Sequence, residues 1–190
     1  MPAERAYVPD MSLPHLMTAE DLLDVRIPDK RVELVRGFLV VREPPGFTHG
    51  PVAMNLAARL AGYIERTGGD FVLLAETGFT LARNPDTVRG PDVGVVRRDR
   101  VPIPEPRGFL ELGPELAVEV LLPGDRPGEV LAKVGDWLSG GARLVWVIDP
   151  DRRQGRIYRA DGSQAVVASD QVLDGEDVLP GFSSPLAAVL

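Results

Sequence analysis

The chain has 190 residues, 44% hydrophobic and 26% charged, with a formal charge of −7 and a pI near 4.9, which suits one globular α/β-sized domain. It contains no cysteine and two histidines, which excludes disulfides, thiolate zinc sites, a cysteine nucleophile and a three-histidine zinc site. A metal would therefore rest on oxygen ligands, favouring Mg²⁺ or Mn²⁺, and the acidity argues against constitutive tight binding of nucleic acid, whose phosphates need a cationic surface.

No apolar run approaches the roughly 18 residues of a membrane span, and the opening MPAERAYVPDM has no apolar h-region, so a cytoplasmic protein without membrane association is expected. Residues 1–17 are Pro-containing and aperiodic and read as an arm, and residues 18–190 read as the folded domain. TAEDLLDVR is a short helix with Thr18 as N-cap and Asp21 three residues on. KRVELVRGFLVVRE gives two strands about a Gly37 turn, with Glu33 on the face opposite Val32 and Leu34.

After the PPGFTH loop, Leu56, Leu60 and Ile64 mark a helix from about residue 50 to Arg66, closed by TGGD. FVLLAETGFTLA supplies one or two strands, and RNPDTVRG reads as a polar, turn-rich loop. PDVGVV and ELAVEVLL are strands, the second nearly continuous in apolar character and so central in its sheet. RPGEVLAKVGDWLSGG is an amphipathic helix, ARLVWVIDP a buried strand, GRIYRA with DGSQAVVAS a hairpin about Asp161 and Gly162, and LPGFSSPLAAVL an apolar tail packed back on the domain. The pattern describes one α/β (α+β) domain with a mixed sheet.

Asp92 and Glu119 sit on two strands that can be neighbours, bringing two carboxylates close enough for a hard divalent cation. An ionised Glu119 within an apolar run is costly unless paired or metal-bound, although an alternating strand could turn it to solvent. For Asp92 the competing reading is an Asx-type turn after Pro91. Lys133 falls ~40° from Trp137 around its helix, at the edge of the apolar arc. It can reach over the sheet toward the carboxylates or form a surface pair with Glu129. Lys30 and Lys133 are the only lysines among 21 basic residues, so surface charge here is generally arginine. His49 at a helix start can transfer protons or merely cap its loop, and Glu33 and Glu76 are strand carboxylates of open direction. The clusters Arg97, Arg98, Arg100 and Arg152, Arg153, Arg156 are solvated surface or local phosphate contacts.

Taken in order, VELVRGFLVV, THGPVAMNLAARL, ETGF, GPDVGVV, AVEVLLPGD, KVGDWLSGGARLVWVIDP and LPGFSSPL make residues 18–190 resemble the Uma-two type of restriction endonuclease-like proteins, in the PD-(D/E)xK nuclease superfamily. The resemblance implies a restriction endonuclease-like αβββαβ core with a mixed central sheet flanked by helices. Asp92 and Glu119 match its two metal-binding acids. The superfamily's lysine stands two residues after the second acid, where this chain has Leu121, and the Uma-like branch places it on the following helix, where Lys133 matches. Glu33 and His49 match the hairpin glutamate and helix-start histidine near that branch's pocket, and Glu76 matches more loosely.

The expectation is a Mg²⁺- or Mn²⁺-dependent DNA endonuclease, with Asp92, Glu119 and the Val120 carbonyl as metal ligands and Lys133, His49 and Glu33 assisting. A homodimer would suit double-strand cleavage. The alternatives are a catalytically weak or inactive nuclease-fold module binding protein or nucleic acid, and a carboxylate-pair hydrolase acting on another substrate.

Overall fold

The computed structural model describes residues 16–190, so the expected arm lies outside the described residues except for Leu16 and Met17. α1 (Ala19–Asp24) begins at the expected capping box, in which Thr18 and Asp21 satisfy each other's backbone N–H groups. β1 (Arg31–Val35) and β2 (Phe38–Arg42) form the expected hairpin, turning through Arg36 and Gly37 at φ +50° and +80°. A Cβ on Gly37 would lie 2.6 Å from the Leu16 Cβ, so the turn requires glycine for space as well as for its dihedral angle.

α2 (His49–Arg66) presents Val52, Leu56, Leu60, Tyr63 and Ile64 inward. β3 (Phe71–Leu74) and β4 (Phe79–Ala82) follow, the two strands read as one apolar stretch, and they enter different sheets. β5 (Thr87–Arg89) corrects the sequence reading, which had a loop over RNPDTVRG. It is a three-residue strand, too short to show a period, and two of its three buried side chains are polar, with partners supplied by distant elements.

β6 (Val93–Arg97), β7 (Leu116–Val120), α3 (Pro127–Ser139) and β8 (Leu144–Asp149) build the centre, and β7 and β8 are parallel with α3 as their crossover. β9 (Gln154–Arg159) and β10 (Gln164–Ala168) form the expected hairpin, and β11 (Val172–Asp174) pairs with β12 (Ser183–Pro185).

Among the described residues the strands make a six-stranded mixed sheet, ordered β10-β9-β8-β7-β6-β3, a four-stranded antiparallel sheet, ordered β2-β1-β5-β4, and the small β11-β12 pair. α2 covers one face of the six-stranded sheet, over Val93, Val95, Val118 and Val120, and Leu186 and Val189 of the apolar tail complete that core. α3 covers the other face, where Val134 and Trp137 meet Ala117, Val145, Val147 and Phe79 of β4. α1 closes the far side of the four-stranded sheet over Leu34 and Val88. Burying each such leucine stabilises the fold by about 1.5–3 kcal/mol. The arrangement leaves a cleft between the four-stranded sheet, the C-terminal end of β7 and α3.

Candidate active site

Asp92 stands immediately before β6. Its N–H donates to the Val118 carbonyl at 3.0 Å and its Oδ2 accepts the Val120 N–H at 2.7 Å, so it grips β7 on both sides of Glu119. Side chains alternate along a strand, and Val118 and Val120 face the α2 core. Glu119 therefore points to the α3 face. There Trp137 Nε1 donates to Oε1 at 2.7 Å and Lys133 Nζ donates to Oε2 at 2.8 Å. Trp137 and Lys133 reach the same carboxylate because residues four apart on a helix share a face.

Glu33 comes from the other sheet. Its Oε1 lies 3.2 Å from Lys133 Nζ and accepts the Gly90 N–H at 3.1 Å, while Oε2 accepts from Arg89 Nη1 at 2.9 Å. Arg89 is itself buried and also donates to Asp136 Oδ2 at 2.6 and 3.0 Å, tying β5 to α3. On the α2 side, His49 Nε2 lies 3.0 Å from Asp92 Oδ2. Arg31 Nη2 donates to Asp92 Oδ1 at 3.1 Å and to Glu76 Oε1 at 2.7 Å.

These contacts set the charges. Burial by itself would raise the Glu33 and Asp92 carboxyls, yet both lie below their ordinary values. Lys133, Arg89 and the Gly90 N–H outweigh burial at Glu33, and His49 and the Val120 N–H outweigh it at Asp92. Glu119 goes the other way. Burial pushes it up to about 7, helped by the neighbouring Asp92 and Glu33 charges and opposed by Lys133. Lys133 is held above the ordinary lysine value because Glu119 and Glu33 outweigh its own burial.

The cleft has a volume of about 560 Å³ and is lined by Glu33, His49, Asp92, Glu119, Val120 and Lys133, the six residues singled out from sequence. Glu76 also lines it, at φ +50°. Lys133 bonds to Glu119 and the Gly90 carbonyl rather than standing as a surface partner of Glu129. The two arginine clusters lie away from the cleft, with Arg97 and Arg100 engaged by Asp99 and Glu115 and Arg152 near Asp149. Sequence reasoning missed Arg31, Arg89, Asp136 and Trp137. Only Trp137 left a signal, its spacing of four from Lys133.

Among the described residues no group of three or more His, Asp or Glu side chains is arranged to hold a metal ion. The donors nevertheless suit a hard cation, because Mg²⁺ is commonly held by one or two carboxylates together with water and substrate phosphate. Asp92 and Glu119 are two such carboxylates, and both line the cleft.

A family model, Uma2, described as "Putative restriction endonuclease", matches residues 19–188. No curated protein matches the chain. Among solved structures, a crystal structure of a putative nuclease belonging to DUF820 from Anabaena variabilis ATCC 29413 aligns with a TM-score of 0.79 and 18% identity, covering 91% of this chain and 97% of that one. At that identity the likeness carries the fold.

Proposed function

We propose, on the premise that this chain belongs to the Uma2 family, that the cleft hydrolyses phosphodiester bonds of DNA with the help of Mg²⁺ or Mn²⁺. The observation that carries the reading is the meeting of Asp92 just before β6, Glu119 on β7 and Lys133 on α3 at one cleft. Asp92, Glu119 and the Val120 carbonyl would hold the cation, which when bound polarises a phosphoryl oxygen and lowers the pKa of a water.

The chain's own groups supply the rest. Lys133, charged and held between Glu119 and Glu33, sets a fixed positive charge where negative charge develops on the phosphoryl oxygens. Glu33 acts on Lys133 by orienting it, and is itself locked by Arg89 and the Gly90 N–H. His49, buried against Asp92 Oδ2, would steady that carboxylate and assist proton transfer. Cutting both strands of a duplex would call for two such clefts, and a homodimer would provide them.

One observation favours the second reading, an inactive module that binds through the same surface. Both Glu119 oxygens already accept hydrogen bonds from within the chain, from Trp137 and Lys133, so internal donors already use part of the capacity that a cation would need. Calorimetric titration with Mn²⁺, followed by plasmid nicking with wild type, Asp92→Ala and Lys133→Ala, separates the two. The nuclease binds Mn²⁺ and nicks, Asp92→Ala loses both, and Lys133→Ala keeps metal binding while losing at least ~100-fold in rate, the scale of one transition-state donor. A wild type that neither binds Mn²⁺ nor nicks DNA overturns the nuclease reading.

A further inference from the structure

Five cations line the cleft: Lys30, Arg31, Arg42, Arg89 and Lys133. Four are committed to carboxylates by hydrogen bonds, Lys30 to Glu43, Arg31 to Glu76 and Asp92, Arg89 to Glu33 and Asp136, and Lys133 to Glu119. Arg42 is not. Its nearest carboxylate oxygens, on Glu33, Glu129 and Asp125, stand at 3.8, 3.8 and 4.0 Å, beyond hydrogen-bond reach. Its Nε is buried and has no hydrogen-bond partner among the described residues. A buried N–H with no acceptor is unfavourable, and a guanidinium ringed by acids that it does not grip is a donor fork awaiting an acceptor.

The strand register adds a second, independent oddity. Arg42 on β2 lies directly opposite Arg31 on β1, and like charges at opposed positions of an antiparallel pair are destabilising. Asp92 and Glu76 hydrogen-bond Arg31, whereas Arg42 stands in three longer ion pairs, to Glu33, Asp125 and Glu129, none of which closes to a hydrogen bond.

We propose that Arg42 grips a backbone phosphate of the polynucleotide in this cleft, next to Lys133, with which it shares the acid Glu33. The inference rests on the nuclease reading. A guanidinium offers two parallel N–H donors to two phosphate oxygens, a geometry that an ammonium cannot reproduce. The bound phosphate accepts from the two Nη groups of Arg42, which make no hydrogen bond among the described residues and stand 3.8–4.0 Å from Glu129 and Asp125.

The test is fluorescence anisotropy of labelled single-stranded and duplex oligonucleotides, with Ca²⁺ replacing the catalytic metal, for wild type, Arg42→Ala, Arg42→Lys and the surface control Arg152→Ala. Arg42→Ala weakens binding roughly ten- to hundredfold, as expected for hydrogen bonds to a charged group. The slope of log affinity against log salt falls by about one. Arg42→Lys restores the slope but only part of the affinity, and Arg152→Ala matches wild type. The Arg42 side chain makes no hydrogen bond among the described residues and only long ion pairs, so Arg42→Ala melts close to wild type. If wild type binds or nicks DNA and Arg42→Ala equals it in affinity and slope, the Arg42 assignment fails alone. If wild type does neither, it falls together with the nuclease reading.

Discussion

Glu119 has both carboxylate oxygens inside the protein, one against an indole N–H and one against an ammonium. Its folded value of about 7 lies above the ordinary 4.5, because burial and the Asp92 and Glu33 charges outweigh Lys133. Between those two values the folded protein holds a proton that the unfolded chain releases. The contribution to stability is therefore complete below 4.5 and is lost as pH rises through about 7. Urea unfolding of wild type should show a midpoint that falls between pH 5 and pH 8, and Glu119→Gln, which cannot ionise, should show a flatter profile. Equal profiles would contradict the buried, proton-holding carboxylate. Glu119 was legible in sequence because a charge inside VEVLL has few inexpensive explanations. Arg89 was not, because its acceptors Glu33 and Asp136 lie on β1 and α3.

α3 decides where Lys133 points, and two glycines show how differently the helix and its surroundings are constrained. Gly113, in the loop before β7, lies against the turn that ends α3, where an added Cβ would stand 2.5 Å from the Ala142 nitrogen and the Gly140 carbonyl oxygen. Backbone cannot swing aside as a side chain can. Gly113→Ala is expected to destabilise by about 1–3 kcal/mol through overpacking and to reduce nicking by displacing α3. Gly135, within α3, has open space where its Cβ would go, so Gly135→Ala should stabilise by about 0.5–1 kcal/mol with activity retained. Thermal melts of the two variants measure the contrast, and a neutral Gly113→Ala would show that the loop is free to move. The helix itself was readable from its period, its early proline and its closing glycines. β5 was hidden because three residues carry no period.

Over the whole molecule, the two large sheets are joined through α3 and through the buried charges of the cleft, while the C-terminal tail closes the α2 side. Leu186 and Val189 are fully buried there. Leu186→Ala should cost about 2–5 kcal/mol, the range for emptying a leucine site in a packed core. Equilibrium urea denaturation followed at Trp146, which belongs to the same core, checks this, and a loss below about 1 kcal/mol would mean that the tail packs loosely. No helix among the described residues is long and apolar enough to cross a membrane. The sequence by itself determined the elements with strong periods or caps and the α/β class, and it singled out Asp92 and Glu119 as candidate acids, which the fold brings to one cleft. Only the tertiary structure decided that the strands divide between two large sheets, that Arg89 and Trp137 lock Glu33 and Glu119, and that the Arg42 side chain is left without a hydrogen bond among the described residues. Periodicity and capping act over a few residues and leave a local trace. Charge pairing across a cleft depends on which strands become neighbours, and that is set by the packing of the whole chain.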